Sequence, residues 1–180
     1  MPELETSRLR LRPPDHRDVA AIAELAGDFD VAKFLATVPH PYREEDARAF
    51  IARVAESRAR GEGWCYAILR KQDDAFIGCC GLHLKDGTYE LGYWLGKPFW
   101  NQGYATEAAK RLIGFAFRDL KADRVKAGWF HDNGASGRVL EKLGFRPDGA
   151  ASRDCLARGH SVYCHDMALT RADFRRKRAA

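Results

Sequence analysis

The sequence lacks the features of a membrane-spanning or exported protein. Its 180 residues contain no apolar run approaching the ~20 residues that a bilayer-spanning helix needs. Residues 1–6 are acidic and include no apolar stretch of the kind found in a secretory signal. These absences predict a cytoplasmic protein with no membrane partner.

Signals for metal binding and for disulfides are also missing. The cysteines are odd in number, no two of them form a Cys-x-x-Cys pair, and two lie within an apolar, strand-like run. The histidines are scattered without ligand spacing, and no catalytic triad is evident. We therefore predict no metal site and buried free thiols in a reducing compartment. The five cysteines are Cys65, Cys79, Cys80, Cys155 and Cys164.

The excess of positive charge is small. Thirty Lys and Arg residues against 25 Asp and Glu give a net charge of +5, and much of it lies in the basic tail at residues 171–180. A solvated tail is favoured over a nucleic-acid partner. Hydrophobic residues at 46% and charged residues at 31% are ordinary for a globular protein. The length predicts one domain over residues 1–180, with its core at about 8–170.

Hydrophobic periodicity predicts alternating strands and helices. Strands are predicted at residues 8–12, 64–70, 75–84, 89–95, 124–130, 145–153 and 161–169. Helices are predicted after an N-cap at Asp15, as a short piece within 28–37, at 44–60, from 105, and after a cap at 132 or 133. Three consecutive antiparallel strands followed by a strand–helix–strand crossover predict an α/β (α+β) fold. The expected architecture is a single domain with a central mixed, mostly antiparallel sheet flanked by helices.

One stretch, residues 89–117, combines a strand, a short loop ending at Gly103 and an amphipathic helix. The first turn of a helix has backbone N–H groups without internal partners, and the helix dipole adds positive potential there. The amides of residues 102–106 are therefore candidates for binding a phosphate. The alternative is a plain strand-to-helix turn that contains a glycine. The loop has neither the Gly-Lys-Ser/Thr of a Walker motif nor the three glycines of a dinucleotide fingerprint.

Residues 89–96, followed by 100–108, resemble the acetyl-CoA-binding motif of the GNAT superfamily of N-acetyltransferases. The similarity is greatest to the branch that includes the RimJ/RimL-type ribosomal-protein acetyltransferases. Residues 133–145 and 6–12 are also similar to segments of that branch. The resemblance implies transfer of an acetyl group from acetyl-CoA, as co-substrate, to a primary amine by direct attack in a ternary complex. The acceptor is either a protein N-terminus or a small-molecule amine.

The resemblance also implies which residues hold acetyl-CoA. Leu95, Gly96 and Lys97 offer backbone groups to the pantetheine, and Asn133 holds the pantetheine or an ordered water. The resemblance assigns the pyrophosphate to the loop and the first helical turn, at Gln102, Gly103, Tyr104, Ala105 and Thr106. This loop departs from the commonest family form at Trp100 and Asn101. The second change predicts an unusual backbone angle, which Asn tolerates better than most residues.

Glu90 is the first candidate for the general base, directly or through water, because the family has a Glu at that point. The alternative is a structural carboxylate held by an arginine. Many members carry a Tyr seven residues after the Asn, as the acid that protonates the leaving thiolate, but here that position is Leu140. Ser136 is a replacement, and with Asn133 it completes the catalytic candidates.

Several alternatives stay open at this point. Asn133 and Ser136 are also suited to capping the helix that follows them. Tyr163 is a second candidate acid, and His131 a second candidate base. Because the usual acid is missing, a non-catalytic acyl-CoA-binding sensor is the alternative function. Superfamily members are often dimers, although no apolar surface stripe in this sequence requires a homodimer.

Overall fold

The computed structural model describes residues 2–179, and its centre is an eight-stranded sheet. The strands are β1 (Leu4–Glu5), β2 (Leu9–Arg12), β3 (Gly63–Arg70), β4 (Ala75–Lys85), β5 (Thr88–Leu95), β6 (Arg124–Phe130), β7 (Arg146–Cys155) and β8 (His160–Thr170). Their order in the sheet is β1-β2-β3-β4-β5-β6-β8-β7. Among the described strands, only the β5–β6 pair is parallel; the other pairs are antiparallel. The predicted mixed, mostly antiparallel sheet is confirmed.

Helices cover both faces of part of this sheet. They are α1 (Val19–Gly27), α2 (Phe29–Ala32), α3 (Glu44–Ala59), α4 (Tyr104–Arg118), α5 (Gly134–Leu143) and α6 (Arg171–Ala179). The predicted N-cap Asp15 caps a 3-10 turn, His16–Asp18, which leads directly into α1. In the described part of the chain, no helix is both long enough and apolar enough to cross a bilayer.

The main core lies between the sheet and α4. The apolar positions of α4 recur at helical spacing, so Ala108, Leu112 and Ala116 all face the sheet and are fully buried. On the opposite face, α1 and α3 pack over β3 and β4. All five cysteines are buried free thiols, which confirms that prediction. Over β6, β8 and β7 the segment after α2 packs on the sheet, where Ala36 lies against a buried cluster of Phe130, Cys155, Val162 and Cys164.

The basic tail differs from the solvated segment that the sequence predicts. It is helical, and its first turns dock on the core, because Arg171 and Phe174 lie three residues apart on one helix face. Phe174 stacks on Phe117 with ring centroids 4.7 Å apart. Arg171 donates hydrogen bonds to the carbonyls of Phe117 and Ala122 at 3.0 and 2.6 Å. The core therefore extends beyond residue 170. Residue 180 of the predicted tail lies outside the described residues.

Candidate active site

The sheet opens at its centre, between its two parallel strands. Within the described residues, β5–β6 pairing covers only three positions, Tyr89–Leu91 against Val125–Ala127. Beyond them β5 continues on β4 as far as Leu95, and β6 continues on β8 as far as Phe130. Backbone groups on the facing edges of the two strands are left without strand partners there. The result is a cleft through the sheet that an extended chain with amide groups can enter.

The loop that follows β5 leads into the N-terminus of α4, which no side chain caps. A 3-10 turn, Lys97–Phe99, leads to two residues in the left-handed region, Asn101 with φ 60° and Gly103 with φ 80°. The unusual angle predicted for Asn101 is confirmed. Gly103 is the N-cap of α4, and no side chain caps the first-turn N–H groups of that helix. These amides and the dipole of the 15-residue helix favour a negatively charged group at this point.

Backbone groups between β5 and the loop are partly used inside the protein. The indole N–H of Trp100 donates to the Leu95 carbonyl at 2.8 Å. The Gly96 N–H donates to the Ile77 carbonyl, and the Gly96 carbonyl accepts from Phe99, both at 2.9 Å. The departure from the family pattern at Trp100 thus has a structural role, since its side chain anchors the start of the loop. Each of these carbonyls retains a second lone pair for a ligand.

The N-terminal segment clamps the same loop through Glu107 of α4. The Glu107 carboxylate accepts hydrogen bonds from Thr6 Oγ1 at 2.6 Å and from the Arg8 backbone N–H at 3.0 Å. The guanidinium of Arg8 donates to Glu107 Oε2 at 2.7 Å and to the Gln102 carbonyl at 3.0 Å. It also lies 4.5 Å from the centroid of the Tyr104 ring. Arg8 has no sequence signal for this role, because only the folded chain brings it to a loop nearly one hundred residues away.

The walls of the cleft are joined by Tyr93 and Ser136. The Tyr93 hydroxyl lies 3.0 Å from Ser136 Oγ and donates to the Ser136 carbonyl at 3.1 Å. Burial raises the pKa of Tyr93 to about 12, against the opposing effect of its bond to Ser136. Asn133 caps α5, its side-chain oxygen accepting the Ser136 N–H at 3.3 Å. The capping interpretation therefore applies to Asn133, whereas the hydroxyl of Ser136 faces Tyr93. Leu140 is only 1% exposed and packs in the core.

Glu90 lies on the opposite face of the sheet from Tyr93. Strand alternation places Glu90 on the face of Trp94, which packs with α1 and α3, and Tyr93 on the face of α4. Glu90 borders a polar pocket of about 230 Å³. In that pocket Arg153 pairs with Asp166 at 2.6 Å. Among the described residues, the Glu90 carboxylate has no hydrogen bond or ion pair within 4 Å.

The residue directly across from Glu90 is His83 on β4. Desolvation lowers the pKa of His83 below its ordinary value, although the charge of Glu90 opposes the shift. No sequence signal distinguishes His83, because the pairing of β4 with β5 is what brings these two side chains together.

The second candidate base, His131, and the second candidate acid, Tyr163, lie near one end of β6 and β8. His131 is exposed and packs edge-on against Tyr163 with ring centroids 6.5 Å apart. Tyr163 is 50% exposed, and its hydroxyl makes no hydrogen bond with the described residues. The neighbouring Asp132 is held by Arg158 at 2.8 Å. No group of three or more metal-ligating side chains occurs among the residues that the structure describes.

Comparisons with known proteins agree with this architecture. A family model described as Acetyltransferase (GNAT) domain matches residues 8–146. The chain is 28% identical over 177 residues to the uncharacterized N-acetyltransferase p20 of Bacillus licheniformis, covering 97% of this chain and 99% of p20. The crystal structure of a GNAT-family acetyltransferase from Bacillus anthracis superposes with a TM-score of 0.81 at 25% identity, covering 94% of this chain and 98% of that one.

A third comparison concerns a structure that contains coenzyme A. RimL, described as a ribosomal L7/L12 alpha-N-protein acetyltransferase in complex with coenzyme A, superposes with a TM-score of 0.81 at 20% identity. The match covers 94% of this chain and 98% of RimL. At that identity the comparison establishes a shared fold.

Proposed function

The chain belongs to the GNAT acetyltransferase family, and we propose that it moves an acetyl group from acetyl-CoA to a primary amine in a ternary complex. The family membership makes it an acyltransferase. In the proposed reaction the amine nitrogen bonds to the carbonyl carbon and the carbon–sulfur bond breaks. One amine proton goes to a base, and the sulfur leaves with the bonding electron pair and is then protonated.

The observation that carries this proposal is the cleft between β5 and β6 beside the uncapped start of α4. An extended arm with amide groups suits the unpaired strand edges, and a pyrophosphate suits a helix N-terminus. We therefore assign the phosphates to the backbone of residues 102–106, around Gly103. The pantetheine is assigned to the backbone of residues 95–97 and to Asn133. Acetyl-CoA, when bound, supplies an activated acyl thioester.

Glu90 is the proposed base. Its carboxylate is half-buried and unpaired, so it is available to accept a hydrogen bond from an ammonium or from a water. His83, directly across from Glu90 on β4, is proposed as a further acceptor for the proton.

The acceptor is a protein N-terminus or a small-molecule amine. The RimL comparison, at 20% identity, bears on the fold and does not distinguish the two classes. The pocket beside Glu90 carries both charge signs, including Lys126 and Asp166, and is compatible with either class. A panel that contains peptides with free N-termini and small amines, assayed by mass spectrometry, separates the two.

The test of the proposed base is Glu90→Gln. We expect kcat with the best amine of the panel to fall by about 10²-fold or more, with the KM for acetyl-CoA unchanged. Glu45→Gln, at an exposed carboxylate on α3, is the matched control and should retain full activity. Equal kcat for Glu90→Gln and wild type would eliminate Glu90 as the base.

A non-catalytic acyl-CoA-binding protein is the second candidate function. It is favoured by one observation, the buried leucine at position 140 where many family members have a tyrosine. The two functions predict different results in an acetyl-transfer assay. Turnover with any amine excludes the sensor, whereas tight binding of acetyl-CoA without turnover across the whole panel supports it.

A further inference from the structure

A hydroxyl pair crosses the proposed acetyl-CoA cleft at the point where the sheet opens. Tyr93 comes two residues after Leu91, the last position at which β5 pairs with β6. Ser136 is in the first turn of α5, on the other wall. Their oxygens lie 3.0 Å apart, and Tyr93 also reaches the Ser136 carbonyl at 3.1 Å. Both residues are half-buried, so their hydrogen bond is partly shielded from solvent and still accessible to a ligand.

We propose that Tyr93 is a positioning residue that fixes the Ser136 hydroxyl as a hydrogen-bond donor to the sulfur leaving group. This inference rests on the proposed acetyl transfer. Charge develops on the sulfur as the carbon–sulfur bond breaks, and a donor already aimed at it lowers the barrier. Leu140 supplies no such donor. The pair of hydroxyls on the facing walls supplies one instead.

The number of protons and lone pairs on the two hydroxyls determines whether Ser136 can donate a hydrogen bond to a ligand. Each hydroxyl has a single proton and two lone pairs. In the structure Tyr93 has two acceptors within reach, the Ser136 carbonyl and Ser136 Oγ. When Tyr93 donates to Oγ, the proton of Ser136 is free to point at a ligand, and the incoming bond makes Ser136 a stronger donor. When Tyr93 donates to the carbonyl instead, Ser136 turns its proton back to Tyr93.

Tyr93 acts in this scheme without losing its proton. Burial raises its pKa to about 12, so the phenol stays neutral at the pH at which a thiol ionises. The proton that finally reaches the sulfur comes from solvent, and Ser136 donates a hydrogen bond while keeping its own proton. The contribution of Tyr93 is the orientation of a dipole, which makes it measurable as an effect on a bound thiolate.

The experiment measures the pKa of the thiol of bound CoA, followed by the ultraviolet absorbance of the thiolate during a pH titration. In the wild type we expect this pKa to lie below that of free CoA. Tyr93→Phe and Ser136→Ala should each raise it by about one unit, a tenfold loss of thiolate affinity. The double variant should lose no more than the larger single effect, because the two residues act as one unit.

Two of the variants distinguish a positioning role for Tyr93 from a purely structural one, in which its hydrogen bond only holds β5 against α5. Ser136→Ala retains the bond from Tyr93 to the backbone carbonyl at position 136, so it keeps the tether and removes only the hydroxyl. Tyr89→Phe is the matched control, since Tyr89 lies on the same strand and face, in the part still paired with β6. Its hydroxyl makes no hydrogen bond with the described residues, and the thiol pKa should not move.

Desulfo-CoA, which has no thiol, completes the test. We expect its affinity to be the same in the wild type, Tyr93→Phe and Ser136→Ala. The inference is overturned if Ser136→Ala leaves the thiol pKa unchanged, or if Tyr93→Phe weakens CoA and desulfo-CoA equally. Failure of wild-type protein to bind CoA or desulfo-CoA would overturn the proposed function itself, and this inference with it.

Discussion

The clamp between the N-terminal segment and α4 gives the sharpest stability prediction. Glu107→Gln keeps the shape of the side chain and removes its charge. The carboxylate accepts bonds from Thr6 Oγ1, Ser7 Oγ, the Arg8 N–H and Arg8 Nε at 2.6, 3.2, 3.0 and 2.7 Å. The amide nitrogen of a glutamine would face the Arg8 guanidinium as donor against donor. The variant therefore loses the Arg8 side-chain bond outright and weakens the others.

The size of the stability loss in Glu107→Gln can be estimated from how exposed its hydrogen-bonded partners are. A hydrogen bond to a charged group contributes ~1.5–3 kcal/mol, and a solvent-exposed ion pair ~0.2–1 kcal/mol. The Arg8 side chain is 47% exposed and that of Glu107 17% exposed, so the Arg8 pair belongs near the surface value. The bond from Thr6 Oγ1 is part-buried and therefore better shielded, whereas the bond from the Arg8 N–H is exposed. We expect a loss of about 2 kcal/mol, or roughly 4 to 8 °C in Tm for a chain of this size.

The pH dependence of this loss is a second readout. Burial raises the pKa of Glu107, but the hydrogen bonds from Thr6 and Arg8 outweigh burial and hold the pKa below its ordinary value. The folded state thus favours the carboxylate. Its contribution is complete above about pH 4.5 and disappears as the pH falls through the lower native pKa. The gap in Tm between wild type and variant should close over the same range.

Differential scanning calorimetry measures both effects. Glu24→Gln, at an exposed carboxylate within α1, is the control and should leave Tm within about 1 °C of wild type. A cycle with Arg8→Ala isolates the pair, whose coupling should be smaller than the total loss. An unchanged Tm for Glu107→Gln at pH 7, or a gap that does not narrow on acidification, would refute this account of the clamp.

Two further predictions concern packing. A Cβ on Gly137 would lie 2.9 Å from two ring atoms of Trp129, so Gly137→Ala should destabilise by about 1–2 kcal/mol despite its gain in helix propensity, as measured by chemical denaturation. Combined with Trp129→Leu, which removes the ring, the same change should become neutral or stabilising; destabilisation that persists would argue against the clash. All five cysteines are buried, so a thiol reagent should modify none of them quickly in native protein and all five after unfolding. Rapid modification of native protein would contradict this burial.

Much of the fold could be predicted because its elements have local signals. The seven predicted strands are all present, and α4 carries an apolar stripe with helical spacing that is buried throughout its length. The turn chemistry around Asn101 and Gly103 was also visible in the sequence, since few residue types tolerate the left-handed region. β1 was missed because a two-residue strand has no period to detect.

The site could be predicted only in part, because its contacts join distant segments. Gly103 and Glu90 lie within one motif that sequence reasoning located. Tyr93 and Ser136 are 43 residues apart, and Arg8 and Glu107 are 99 apart, so their pairing depends on how strands and helices pack. The divergence of β5 from β6 has no local signal either. It arises because each strand keeps its outer neighbour while the inner pairing ends.

The most direct test of the central claim is a thermal-shift titration with acetyl-CoA and CoA, with NAD as an anionic comparator. At about 100 times its dissociation constant, a ligand stabilises the fold by ~2.7 kcal/mol, or roughly 5 to 10 °C here. We predict such shifts with both CoA species and none with NAD. Gly103→Ala should lose most of the shift, whereas Gly61→Ala, with a similar φ of 72° at the end of α3, should retain it. No shift with acetyl-CoA or CoA, in wild-type protein shown to be folded, would contradict the account.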